Sequence, residues 1–596
     1  MQRQDFVDRA ARPFPLSLVF LVALLVHAPL LLMQLPLKSY DTNFHIFFAS
    51  HYAQHWFNPW NPKWYAGFSQ TTYPPLPQQW IAIVSRLVGL DMGYMLVQFV
   101  AILLLALGVY RFSAIWVGRR AASYAALASV LLGSEAFLVY SAGQLATTFA
   151  APLYLNALPY IYEWIRGNNW RSLLKGTALA VAAAAAHHAT LLFGSFLFAL
   201  PVLALAVIDL RQENRLRNRN SLGSGFIFRT VFVTAIVGLM IAIVLLPFWM
   251  ALIQYPVTQA PIPHPSRANY ILSPQWGLNY FLVPYGALIL AFPFIFLRGS
   301  SIPRLRPLLL GFWVALLLGL GSTTPVARLL LGRAFEVLTM ERFTYWATLL
   351  ALPFIGLLVE ELVDRARWRS LAAVTVTAGL TCAIAVSWAT YKPADAESFK
   401  VDSVASWLNR DGHDRYRYIT LGFGNKIARL AMLTDASSVD GEWNSGRLLP
   451  ELTEHGAGAL TSSKYFGKAG LDALTAVLQH SDRYGLKWVF VRDPYYEPLL
   501  VFSGWRRVDD LEDRTIAVWE KDEVPPATPI DSPQKPQPWQ GILWGILPIG
   551  SSVLAMFFVF IPARRHVELE QTTSPPVKPA IADHQDQDLV LGRRIS

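Results

Sequence analysis

Residues 39–80 read SYDTNFHIFFASHYAQHWFNPWNPKWYAGFSQTTYPPLPQQW, and the way this stretch is read decides the organisation of the whole chain. It follows directly on an apolar run from Pro15 to Leu35, about 20 residues and so long enough to cross the hydrocarbon core of a bilayer. The stretch itself is dense in aromatics, histidines and prolines and carries one early carboxylate, Asp41, a composition that does not span lipid. Connections of this length are uncommon without a function. Residues 36–80 are therefore expected to form the first external loop of a polytopic membrane enzyme, with Asp41 as its chemical centre.

The rest of the chain fits that frame. Of 596 residues, 54% are hydrophobic and only 15% charged, which points to lipid as the main solvent. Later apolar runs at 94–112, 121–140, 148–165, 173–189, 190–208, 229–251, 278–297, 308–322, 343–363, 370–388 and 540–562 bring the expected number of spans to about twelve. A signal peptide is the weaker reading of the first run, which is too long for that role. The net charge of +10 would suggest nucleic acid in a soluble protein. Here the arginines fall in alternate loops, at Arg111, Arg119 and Arg120, at Arg166 and Arg171, at Arg211 to Arg229, at Arg298 to Arg306 and at Arg365 to Arg369. That is the positive-inside pattern, so no nucleic-acid partner is expected and both termini are placed in the cytoplasm. The single cysteine, Cys382, excludes a disulfide framework and a cysteine-based metal site.

Five parts are expected: a transmembrane module over 1–389, an external α/β domain over 390–524, a Pro-rich linker over 525–538, a last transmembrane helix over 539–563 and a disordered cytoplasmic tail over 564–596. In the second part, Arg417 to Leu421 and Trp488 to Val491 read as strands and Leu471 to His480 as a helix.

Ionisable groups at membrane depth are costly and are functional candidates for that reason. Asp41 and His45, four apart, share one face of a helix along the membrane surface with Phe48, Tyr52 and His55. The competing reading makes Asp41 a mere helix cap. Glu135 interrupts the apolar run around GSEAF and needs a partner or a metal there, or else it simply reaches water. His187 and His188 are adjacent, so on one helix they point about 100° apart and cannot both line one cleft well. The segment from Thr323 to Arg342 places Arg328, Arg333 and Arg342 outside, against the charge pattern, and a lipid-linked phosphate is the natural compensating anion. Arg342 is the preferred clamp, with an ion pair to neighbouring Glu341 as the alternative. Trp64 and the TyrProPro segment at Tyr73 are candidates for stacking on sugars, or for anchoring the loop at the headgroups. His187, His188 and Glu341 are further candidate contacts to substrate or to a metal.

The order of these features, SYDTNFH after a first span, then NPWNPKWYAGFSQTTYPPLP and the pair Arg342-Phe343, resembles the GT-C class of polytopic membrane glycosyltransferases. More narrowly it resembles bacterial membrane proteins named as related to pyruvoyl-tetrahydropterin synthase. The resemblance covers the chain to about residue 388. It implies inverting transfer of a sugar from a polyprenyl-phosphate carrier to an acceptor outside the bacterial cytoplasmic membrane, with membrane lipid as surroundings. By the same resemblance Asp41 matches the loop carboxylate that acts as general base or holds the acceptor, Arg342 the residue steadying the carrier phosphate, and Glu135 is a positional candidate for the second acid. No Asp-x-Asp pair stands in an early loop, which leaves a divalent-metal requirement open. Two readings of other classes compete: a flippase or transporter, which would place ionisable groups near the midplane, and a non-catalytic scaffold for envelope polysaccharide.

Overall fold

A computed structural model describes residues 14–216, 224–254, 264–366, 368–390, 399–455, 459–530, 532 and 534–560. The basic amino-terminal residues, Arg217 and Arg219, and the tail expected over 564–596 lie outside the described residues. Most of the chain is helical and forms a bundle; a smaller α/β unit is built from residues beyond 399.

Eight described helices are long and apolar enough to cross a membrane: Leu90–Ala114, Arg119–Ala142, His188–Leu216, Gly225–Val244, Pro274–Ser301, Glu341–Ala366, Arg369–Trp388 and Pro538–Phe560. The chain is a multi-pass membrane protein. The remaining runs expected to span are helical but differ in kind. Leu16–Leu32 and Trp170–Ala186 have 17 residues each and Arg306–Gly319 has 14, while Leu145–Gly167 carries Asn156, Glu163 and Arg166 and two internal prolines. The described residues thus supply eight candidates rather than about twelve.

Small residues let these helices approach closely. A Cβ added at Gly356 would fall 2.1 Å from the Ala121 carbonyl oxygen, and Ala121, Ala122, Ala125 and Ala126 are all buried along that contact. This packing sets the helix Glu341–Ala366 against the helix Arg119–Val130. Immediately beyond, the backbone of Phe137–Ala142 widens into a π-helical turn that ends at Gly143 in the left-handed region (φ 73°). Only glycine fits there, because a Cβ would meet Ser39 Oγ at 2.2 Å and the Thr42 nitrogen at 2.7 Å. The turn therefore lies directly against the start of the long loop, and Tyr40 and Asp41 donate their backbone N–H groups to the carbonyls of Ser141 (3.2 Å) and Ala142 (3.0 Å).

The α/β unit holds a four-stranded sheet of β3 (Arg417–Leu421), β4 (Leu486–Val491), β5 (Arg506–Leu511) and β6 (Ile516–Glu520), in the order β3-β4-β6-β5. The β3-β4 pair is parallel and the other two pairs are antiparallel. The two short strands β1 (Trp60–Asn61) and β2 (Phe68–Ser69) pair within the long loop.

That loop is not a surface feature. Its helix, Thr42–Gln54, is buried on nearly every side between the bundle and the α/β unit. Phe44, Phe47, Phe48, Trp64 and Phe68 share one apolar core with Ile419, Leu421 and Val489 of the sheet, whereas Tyr52 belongs to the bundle core. The last helix staples the loop from the other side. Trp56 donates to the Gly545 carbonyl (2.9 Å), Gln79 to the Trp544 carbonyl (2.9 Å), Trp80 to Ser552 Oγ (3.1 Å) and Trp544 to the Tyr52 hydroxyl (2.9 Å). These indoles join the loop, the bundle and the last helix.

Candidate active site

The helix Glu341–Ala366 begins where the π-turn and the long loop meet, and this junction is the candidate site. Gln144, two residues from the turn, bridges two side chains at the head of that helix. Its amide Nε2 donates to Glu341 Oε1 (2.6 Å), and its Oε1 accepts from Arg342 Nε (3.3 Å). A neutral amide thus holds a carboxylate and a guanidinium in fixed register, at a point where Glu341 is buried.

The Arg342 charge is felt by groups from three different segments. It acts on His45 and Tyr73 of the long loop, on His187 and His188 and on His264. His45 is buried and takes a hydrogen bond at Nδ1 from Gln78 Nε2 (2.8 Å), which leaves its proton on Nε2. Burial, reinforced by the Arg342 charge, pushes its pKa down to about 3, so this imidazole is neutral near pH 7. His264 is also held below its ordinary value, chiefly by burial, although Glu341 pulls in the opposite direction; its Nδ1 contacts Ser266 Oγ (2.7 Å). The Tyr73 phenol is raised by burial, with Arg342 opposing and Asp41 adding to the rise. Asp41 stands at the head of the helix Thr42–Gln54, yet its side chain makes no capping hydrogen bond there. The carboxylate instead acts electrostatically on Tyr73 and Tyr94.

The structure thus brings together Asp41, His45, Tyr73, His187, His188, Glu341 and Arg342. The two histidines correct an expectation. The chain does not run helically through them: His187 is extended (φ −162°, ψ 98°) between the helices Trp170–Ala186 and His188–Gly194. The break frees the adjacent imidazoles from the 100° helical offset. His187 Nδ1 contacts Thr190 Oγ1 (2.8 Å), while His188 packs on Phe248 (4.9 Å between ring centroids).

Four expected residues lie elsewhere. Glu135 is 1% exposed inside the bundle, and neither carboxylate oxygen has a hydrogen-bond partner among the described residues. Its polar neighbour is the Tyr345 hydroxyl, one turn along the helix from Arg342, with Tyr140 and Cys382 also in electrostatic reach. Arg328 is exposed (67% of its side chain) and pairs with Glu336 at 3.0 Å, and Arg333 is exposed as well, so neither joins Arg342. Trp64 is fully enclosed, stacked on Phe47 at 4.1 Å and lying against Gly441, and has no open face for a sugar.

Gln144, Gln78 and His264 are the residues that sequence reasoning missed. Gln144 and Gln78 are neutral, so a search for ionisable groups passes over them; a polar amide directly after Gly143 at the edge of an apolar run was the available signal. His264 stands in PIPHPSR, where prolines mask any periodicity. Among the described residues no group of three or more His, Cys, Asp or Glu side chains is placed to hold a metal ion.

No family model matches the chain, and no curated protein matches it. Solved structures do resemble it. A variant of the arabinofuranosyltransferase AftD from Mycobacteria aligns with a TM-score of 0.50 at 14% identity, covering 86% of this chain and 42% of that one. ArnT from Cupriavidus metallidurans bound to undecaprenyl phosphate aligns at 0.45 and 13% identity, over 85% and 99% of the two chains. The apo oligosaccharyltransferase of Archaeoglobus fulgidus aligns at 0.48 and 12% identity, over 82% and 70%. None of these bears on the narrower resemblance carried by YPPL and Arg342-Phe343. At such identities the likeness is one of fold alone, a polytopic helical bundle like that of the AftD variant.

Proposed function

We propose that the chain is a membrane glycosyltransferase that moves a sugar from a polyprenyl-phosphate-linked donor to an acceptor outside the bacterial cytoplasmic membrane, with inversion at the anomeric carbon. The observation that carries this reading is the Arg342 guanidinium, fixed by Gln144 among imidazoles from separate segments, with the Asp41 carboxylate acting on the same Tyr73 phenol that Arg342 reaches. The likeness of fold is in keeping with it.

On this reading the donor phosphate sits at Arg342. Asp41 takes the proton of the acceptor hydroxyl, whose oxygen attacks the anomeric carbon from the face opposite the phosphate. The bond from that carbon to the phosphate oxygen breaks, its electron pair leaves with the phosphate, and the fixed positive charge of Arg342 meets the charge that develops. His45, kept neutral, serves as a hydrogen-bond donor through Nε2. Further along the same helix, an apolar cavity of about 330 Å³ is lined by Leu131, Gly133, Tyr285, Leu352 and Ile355. Leu352 lies about 15 Å along the axis from Arg342, a reach suited to the apolar tail of a carrier held at Arg342.

The test is sugar transfer from a polyprenyl-phosphate donor by purified protein in proteoliposomes. Asp41→Asn is expected to lower the rate by about 10²- to 10⁴-fold while the protein stays folded. Transfer at the unaltered rate would sink the proposal. So would movement of the carrier across the bilayer with no acceptor modified, which would make the protein a flippase.

A further inference from the structure

Residues 39–41 are gripped on both edges of their backbone. On one edge the N–H groups of Tyr40 and Asp41 are held by the π-turn carbonyls of Ser141 and Ala142. On the other, the carbonyls of Ser39 (2.9 Å) and Tyr40 (3.2 Å) both accept from Nδ2 of a single residue, Asn425, which belongs to the α/β unit.

Asn425 is itself rigidly placed. It follows the turn Gly422-Phe423-Gly424 at the end of β3, in which both glycines have positive φ (83° and 52°). The Gly422 N–H donates to the Thr461 carbonyl (2.7 Å) and the Phe423 N–H to Thr461 Oγ1 (3.1 Å). A Cβ at Gly422 would meet Asp493 Cβ at 2.7 Å. Asn425 opens the helix Lys426–Leu433, which packs on the helix Thr42–Gln54 and is tied to the bundle by an ion pair from Arg429 to Asp91 (2.9 Å).

We infer that Asn425 is a positioning residue for Asp41, so that the α/β unit completes the active site when it is seated on the bundle. This rests on the reading of Asp41 as the general base. Two carbonyls immediately before Asp41 are fixed by one amide, and the remaining freedom of the backbone is taken up by the π-turn. Removing the amide leaves each of these two peptide planes held on its N–H edge alone, so that they can tilt about the π-turn bonds and shift the Asp41 carboxylate with them. The Arg342 end of the site, held by Gln144, is untouched.

The experiment is steady-state transfer by full-length protein in proteoliposomes, with donor and acceptor varied separately. Asn425→Ala is expected to lower kcat by about 10- to 100-fold, the range for a misplaced catalytic group, with the donor KM within about threefold of the unaltered protein. Asn425→Asp has the same shape but no donor at neutral pH, and is expected to lose at least as much. Asn425→Gln, which retains the amide, is expected to recover part of the loss. If Asn425→Ala and Asn425→Asp keep the unaltered kcat while Asp41→Asn is inactive, the positioning role is wrong and the base assignment stands. Should kcat and donor KM move together with a fall in Tm in every variant, Asn425 is merely structural and the inference is overturned. An active Asp41→Asn would instead refute the reading beneath it.

Discussion

Two buried glutamates, Glu135 and Glu341, lie against the same helix about one turn apart and have opposite surroundings. Glu341 is met by the Gln144 amide and lies in the field of Arg342 and His264. Glu135 makes no ion pair among the described residues; the Tyr345 hydroxyl, Tyr140 and Cys382 stand near it. A carboxylate is stable out of water only with compensation. The difference teaches where charge can be used: the junction of turn, loop and α/β unit offers a carboxylate an amide and cationic neighbours, and among the described residues the bundle interior beneath it offers Glu135 no ion pair.

That contrast is easiest to break at the junction. Arg342→Ala is expected to lower sugar transfer by at least about 100-fold, as when a main electrostatic stabiliser of a transition state is removed. Arg342→Lys keeps the charge without the planar fork and should recover only part of the rate. Both are read by transfer in proteoliposomes, and an active Arg342→Ala would erase the distinction between the two glutamates' surroundings.

Stability sharpens the comparison next. Glu341→Gln removes the buried carboxylate that accepts from Gln144 and offsets the nearby charge of Arg342, and is expected to destabilise by about 3–5 kcal/mol, read by denaturant unfolding in detergent. Glu135→Gln alters a carboxyl that makes no ion pair among the described residues and should change stability by about 1 kcal/mol or less. Equal effects would mean that Glu135 is charged and paired after all.

Acid should be felt in the long loop. His45 and His51 titrate at about 3 and about 4 in the fold, both pushed down mainly by burial, against an ordinary value of 6.5. The unfolded chain therefore binds more protons between about pH 4 and 6.5, and the contribution of these residues to stability is full above 6.5 and lost as pH falls through that window. Asp440, in the α/β unit, is raised by burial to about 6 and works the other way, its protonated form favouring the fold as pH falls below 6. The double variant His45→Gln with His51→Gln should therefore flatten the loss of Tm between pH 6.5 and 4.5, and Asp440→Asn should steepen it. The smallest effects belong to the exposed arginines: Arg328→Ala and Arg333→Ala should change transfer by less than about threefold, as for exposed ion pairs.

The helices were legible in the sequence because apolar runs of about 20 residues have few other uses. Asp41 and Arg342 were legible because an ionisable group at an apolar boundary needs a reason to be there. What escaped has physical causes. Trp64 and its neighbours carry the same aromatic signature whether they face sugars, headgroups or a second folded unit, and here they form the seam with the sheet. His187 and His188 were treated as one helix because nothing in AAAAAHHATLL announces the break. Gln144 and Asn425 are neutral amides whose importance lies in what they meet, Arg342 and Glu341 in one case and the backbone before Asp41 in the other. The sequence separations, close to 200 and 390 residues, put such contacts beyond local pattern reading.

The most direct test of the account is a cryo-EM map of the protein with bound polyprenyl phosphate. The account predicts the phosphate within about 3 Å of the Arg342 guanidinium, beneath Asp41, with the first isoprene units directed toward the cavity at Leu352. A phosphate held at Arg328 or Arg333, with Arg342 and Asp41 both remote from it, would contradict it.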